Sequence, residues 1–116
     1  MITLHPTIQH WFDAWDSVQP ENIPVTDDFA HTSPFGTISP KSKYMDIVAK
    51  NRENFLGNQI IILDYIQEDN SHCVRYSLKN ENTGLEMSVC EWLILEGGLI
   101  REVHAYYNIG DAQLKG

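Results

Sequence analysis

Positive charge is scarce in this 116-residue chain: eight Lys and Arg stand against sixteen Asp and Glu, for a net charge of −8. The cations are scattered as Lys41, Lys43, Lys50, Arg52, Arg75, Lys79, Arg101 and Lys115, so no basic face could neutralise a phosphate backbone. Nucleic acid is therefore not expected as a partner. Long apolar runs are missing too, and none approaches the roughly 18 residues that a bilayer-spanning helix needs. No membrane association is expected. The opening MITLHPTIQHWFDAW has neither a basic start nor an unbroken apolar stretch, which fits no signal or transit peptide and makes the cytoplasm the expected location. Cysteine is limited to Cys73 and Cys90, with no Cys or His beside them at metal-ligand spacing. Reduced thiols are expected, without metal or other cofactor.

What is present is an ordinary globular balance, 42% hydrophobic and 21% charged, in a length suited to a single domain over residues 1–116. Ile8, Trp11, Phe12 and Trp15 follow the three-and-four spacing of an amphipathic helix over Pro6 to Asp16, with Pro6 suited to its first turn. The stretch SVQPENIPVTDD admits at most a short helical turn around Pro20 to Ile23. FAHTSPFG then reads as a strand whose Pro34 and Gly36 place it at an edge or a mouth. Ser39 is suited to cap a second helix, carrying Tyr44, Ile47, Val48 and Phe55 on its buried stripe and ending at Gly57. From Gln59 onward the chain reads as four strands in an antiparallel meander: Gln59 to Gln67, His72 to Lys79, and a long hairpin from Gly84 to Asn108 that folds back at Glu96-Gly97-Gly98. The fold class is α+β, with helices on one face of a curved antiparallel sheet.

A turn at Asn80 to Thr83 that pairs Lys79 with Gly84 gives a register in which facing positions sum to 163. Val74, Tyr76 and Leu78 then share a side with Leu85, Met87 and Val89, while Cys73, Arg75 and Ser77 share the other with Glu86, Ser88 and Cys90. One side is apolar and one polar. Either the apolar side packs under the helices and the polar side meets water, or the apolar side is a subunit interface and the polar side lines a cavity around Arg75 and Glu86. Periodicity does not choose between them.

The HWFDAW helix, the DDFAHTSPFG segment and above all WLILEGGLIREVHAYYN resemble the SnoaL-like branch of the nuclear transport factor 2-like (NTF2-like) superfamily across nearly the whole chain. The resemblance implies a cone of curved sheet closed by the N-terminal helices around a pocket, with a homodimer formed through the outer sheet face. It favours the second register reading and implies that Cys90, Trp92, Val103, Ala105 and Tyr107 face inward. The family includes isomerases, epoxide hydrolases, polyketide cyclases and binding subunits, so the fold does not fix the reaction. At the positions of the ketosteroid isomerase base, acid and tyrosine this chain carries Ser33, Cys90 and Trp11. Serine is too weak a base for carbon acids, and indole does not donate as a phenol does. The epoxide-hydrolase pattern falls on Arg75, Ser77 and Ala105, which keeps the arginine and lacks both carboxylates.

His31 shares a strand side with Ser33. It is either a structural histidine or a base at the pocket, and Ser33 either satisfies turn amides or faces the ligand. Arg75 needs a carboxylate, Glu86 or Glu91, and is either a structural ion-pair member or an anchor for developing negative charge. Cys90 is read as a core thiol in the wall. His104, sharing a side with Glu102 and Tyr106, is read as an interface residue. The resulting expectation is a homodimeric domain binding a small, mostly apolar organic molecule, with His31 and Arg75 as catalytic candidates and Trp11, Ser33, Glu86, Cys90, Trp92 and Tyr107 around the ligand. The reactions in view are isomerisation, cyclisation or hydrolysis by proton transfer. The alternative is a non-catalytic interaction subunit that uses its outer sheet face.

Overall fold

The computed structural model describes residues 2–108, the side chain of Asn54 excepted; Lys115 lies outside that range. Helix α1, Pro6–Asp16, buries Ile8, Trp11, Phe12, Ala14 and Trp15. Its free N-terminal amides are met by His5, whose Nδ1 accepts from the Thr7 N–H at 3.2 Å, an imidazole in the place usually taken by Ser or Asp. A 3-10 turn at Pro20–Asn22 leads into β1, Val25–Ser33, and the short β2, Gly36–Ile38. Helices α2, Lys41–Lys50, and α3, Arg52–Phe55, precede the meander of β3, Asn58–Glu68, β4, Ser71–Asn80, β5, Leu85–Glu96, and β6, Leu99–Tyr106. No described helix is long and apolar enough to cross a membrane.

The six strands form one mixed sheet in the order β2-β1-β6-β5-β4-β3. The meander is antiparallel, but β1 runs parallel to β6, pairing His31 with Val103. Strand β1 is thus second from the edge; of the edge or mouth expected for FAHTSPFG, the edge belongs to β2, while Phe35 between β1 and β2 borders the cavity. Curvature comes from irregular pairing at three places: between Ile62 and Asp64 on β3, between Ile94 and Leu95 on β5, and between Val25 and Ala30 on β1. Bulges of this kind bend a strand and raise its twist, which rolls the sheet toward a cone. The Gly97-Gly98 turn matches its expectation, since both residues take positive φ, 60° and 81°, as a two-residue hairpin turn with right-twisted strands requires.

Two local expectations give way. Ser39 makes no capping bond; Pro40 occupies the N-cap of α2, with φ −80° and ψ −165°. The β4–β5 register pairs Asn80 with Leu85 and Tyr76 with Val89, two residues away from the sum of 163. Asn80 is the cause. Its Oδ1 accepts from the amides of Asn82 and Thr83 at 2.9 and 3.1 Å, which closes the turn one residue later on each strand. Its Nδ2 donates to Asn58 Oδ1 at 2.7 Å and to the Glu53 carbonyl at 3.1 Å, tying α3 to the hairpin base.

A two-residue slip preserves the faces, since side chains alternate with period two. Val74, Tyr76 and Val89 lie in the core with α1 and α2, and Leu78 and Met87 pack against it. The reading favoured by the resemblance, apolar side outward and polar side toward a cavity, is therefore corrected. The helices need an apolar surface to close on, and Val74, Tyr76, Leu78, Met87 and Val89 supply it on this side of β4 and β5.

Candidate functional site

Between the inner face of the sheet and the helices lies a cavity of about 510 Å³. Helix α1 contributes Trp11, Phe12 and Trp15, α2 contributes Tyr44, and the strands contribute His31, Tyr76, Leu78, Met87, Val89, Glu91 and Ala105. Tyr107 and Asn108 border it beyond the end of β6, and Thr83, Gly84 and Leu85 from the β4–β5 turn. Aromatic rings dominate the wall. Trp11 meets Trp15 edge-on at 5.5 Å and 80°, and Phe12 meets Tyr76 at 5.3 Å and 77°.

Glu91 is the charged group among these lining residues, and it is only 6% exposed. One carboxylate oxygen accepts from Trp11 Nε1 at 3.0 Å and the other from the Tyr76 hydroxyl at 2.6 Å. Both donors are neutral. Burial pushes the Glu91 carboxyl above the usual range, while the two hydrogen bonds to its ionised form oppose that shift without cancelling it. The phenols of Tyr76 and Tyr44 are pushed well up, first by burial and then by the Glu91 charge. Tyr107 is raised by burial too, although its hydrogen bond with Ser33 pulls the other way.

His31 stacks on Tyr44, with ring centroids 4.9 Å apart and planes at 27°. Burial, then repulsion from His104, lowers its pKa to about 4, so the ring is neutral at physiological pH. Among the described residues no hydrogen bond reaches its ring nitrogens. Trp11, His31 and Tyr107, named from the sequence, all line the cavity. Ser33 stands beside it, accepting from the Phe35 N–H at 3.1 Å.

The remaining predicted site residues are placed elsewhere. Arg75 pairs with Cys90 across the β4–β5 ladder, and Cys73 with Trp92, on the sheet face opposite Tyr76 and Glu91. The Arg75 guanidinium binds Asp64 on β3, its Nε 2.7 Å from Oδ2, and not Glu86 or Glu91. Glu86 is exposed, and Trp92 is 47% exposed. Arg75, Glu86, Cys90 and Trp92 are thus corrected from pocket to outer face. Cys90 and Trp92 pair with Tyr106 and His104, whereas Val103 and Ala105 point the other way. His104 lies on the outer side as expected, bonded to Glu102 at 3.3 Å.

Sequence reasoning underrated Glu91, Tyr76 and Tyr44. The signal for Glu91 was available: it interrupts the run Val89, Leu93, Leu95 in the apolar phase of β5, where an acidic residue is buried without a salt partner. Trp11 was misjudged in the other direction, since its indole N–H does donate, to this carboxylate.

Compared by sequence, the chain matches no family profile and no curated protein. Compared by structure, it is similar to an NTF2-like protein of unknown function from Cytophaga hutchinsonii, with TM-score 0.72 and 18% identity over 93% of this chain and 95% of that one. A provisionally assigned SnoaL-like isomerase from Agrobacterium tumefaciens gives TM-score 0.70 and 14% identity, covering 88% and 94%. The chain has the NTF2-like fold. TerC, co-crystallised with polyporic acid, shares that fold at TM-score 0.77 and 12% identity, covering 88% of each chain. In this NTF2-like cone the position next to Cys90, not Cys90 itself, sends the carboxylate inward.

Proposed function

We propose that the cone binds a small, mostly apolar organic molecule and that Glu91 exchanges a proton with it. The carrying observation is a buried carboxylate, held between Trp11 and Tyr76, in an aromatic cavity of about 510 Å³. A raised carboxyl pKa brings a general acid or base nearer to neutral pH, where transfer is most efficient. His31, with a pKa of about 4, is a weak base in comparison and serves as a neutral hydrogen-bonding group. Arg75 stabilises no charge in the pocket, because it lies on the far side of the sheet. Isomerisation and cyclisation both begin with proton transfer at a carbon or oxygen, and structural neighbours provisionally assigned to such reactions support this class.

The test uses α-tetralone, a flat ketone with exchangeable α-protons. In D2O the protein should accelerate deuterium uptake, followed by NMR, and Glu91→Gln should lower the rate by about 100-fold or more. A rate equal to buffer, or one that Glu91→Gln leaves intact, removes Glu91 from this role. Quenching of Trp11 and Trp15 fluorescence reports binding separately from turnover.

A second reading concerns assembly. Ile61, Ile66, Trp92 and Tyr106 are 62%, 70%, 47% and 63% exposed on the outer sheet face, an apolar surface suited to a homodimer. Sedimentation should show a dimer that Trp92→Glu dissociates; a monomeric wild type removes the interface.

A further inference from the structure

The cavity holds an acid with no base to balance it. No Lys or Arg is among its described lining residues, and both bonds to Glu91 come from uncharged donors. Buried carboxylates are ordinarily matched by a cation or held neutral at a cost. His31 does not provide that match, being uncharged down to about pH 4.

The walls add a second, independent feature. Trp15 stands at 85° to Tyr44 with centroids 6.4 Å apart, and Tyr44 at 84° to Phe55 at 6.2 Å. Trp11 stands at 80° to Trp15. Each right-angled contact sets one ring's edge on another's face and His31 covers a face of Tyr44, yet Trp11, Phe12, Trp15, Tyr76 and Tyr107 still wall the same cavity as Glu91. Aromatic faces are the negative part of the ring quadrupole and attract cations most strongly when water is excluded. An anionic ligand would instead meet an acid and ring faces of its own sign.

We propose that the ligand of the cone is an organic cation, an alkyl- or arylammonium ion, seated among the aromatic rings of the cavity wall with its charge directed at Glu91. This rests on the cone being a binding pocket, as proposed above, and adds the charge class of what enters it. The bound cation would hold Glu91 in its ionised form, and a cationic nitrogen acidifies adjacent C–H bonds, which suits a carboxylate base.

The titratable groups interacting with Glu91 are Tyr76 from β4, Tyr44 from α2 and Tyr107 after β6, and His31 from β1 lines the same cavity beside uncharged Trp11 from α1. Burial raises the phenols and the Glu91 carboxyl and keeps His31 neutral above about pH 4, so Glu91 is the first of this group to change charge as the pH falls. The probes are benzyltrimethylammonium and its neutral carbon isostere neopentylbenzene, titrated against the intact protein by tryptophan fluorescence. The cation should bind about tenfold or more tightly than the isostere at pH ~7.5, and that preference should shrink toward pH ~5. Glu91→Gln should abolish the preference at both pH values. Neopentylbenzene binding as well as the cation to the wild type, or a preference that survives both acid and Glu91→Gln, overturns the cationic ligand while leaving the pocket standing. Absence of binding by either probe overturns the cationic ligand and the pocket together. If Glu91→Gln does not fold, the pH series on the wild type decides.

Discussion

Strands β4 and β5 carry polar groups on both sides, and the two sides handle them differently. On the inner side Tyr76 and Glu91 are buried, the carboxylate fixed by two neutral donors at 2.6 and 3.0 Å. One residue along, Arg75 turns outward to an opposite charge, Asp64, with both side chains about half exposed, 49% and 61%. Outside, solvent screens the pair and supplies alternative partners, so the ion pair is a minor stabilising element. Inside, water is replaced by rings, so each hydrogen bond is costly to lose and no counter-ion favours the ionised form of the carboxyl. A complementary ion pair therefore marks the outer face of this sheet, and a carboxylate without a counter-ion marks its cavity face.

The largest expected effect that tests this contrast is Trp11→Ala. It removes a ring that is 2% exposed and strips Glu91 of a donor, and should cost about 3–5 kcal/mol in chemical denaturation. A loss below about 1 kcal/mol would mean that the inner side is as tolerant as the outer.

Acid should expose His31 next. Its folded pKa, about 4, lies below its ordinary value of 6.5, so the folded state binds the proton less well than the unfolded chain. The stability tied to its neutral form is present above pH 6.5 and is lost as pH falls toward about 4, to the extent of roughly 3 kcal/mol at about 1.4 kcal/mol per pH unit. Wild type and His31→Leu should therefore converge in stability, or cross, on acidification; parallel curves would show that the ring is hydrated in the folded state.

Glu91 should act with the opposite sign. Its folded pKa is raised above the ordinary 4.5, so its contribution is full below that pH and declines as pH rises through the folded value. Glu91→Gln should remove this decline, which for one proton cannot exceed about 1.4 kcal/mol per pH unit. If wild type and variant show the same pH slope, the carboxylate is solvated. The smallest effect belongs to the outer side: Arg75→Ala should cost less than about 1 kcal/mol, and less still at high salt. A larger loss would erase the contrast between the faces.

The meander and α1 were readable because their signals are local. The spacing of Ile8, Trp11, Phe12 and Trp15 needs only the helical repeat, and Gly97-Gly98 needs only positive φ at a tight turn. The parallel pairing of β1 with β6 has no such local sign, since it joins His31 to Val103 across most of the chain. The register depended on the side chain of Asn80, which closes the β4–β5 turn and also reaches back to Asn58. Alternation showed that β4 and β5 have unlike faces but not which one meets the helices. The resemblance pointed to the wrong one and carried Arg75, Glu86, Cys90 and Trp92 with it into the pocket.

The sequence by itself determined the elements of the meander, the amphipathic first helix, the turn glycines and the presence of an acidic residue in the apolar phase of β5. Those properties depend on neighbours within a few residues, where backbone sterics and side-chain period act. Only the tertiary structure decided that Trp11 would hand its N–H to a carboxylate 80 residues away. It also decided that Glu91 would be enclosed by rings and Arg75 left in water. Burial and counter-charge are properties of the folded chain, because a side chain's dielectric surroundings are set by whatever the rest of the chain brings next to it.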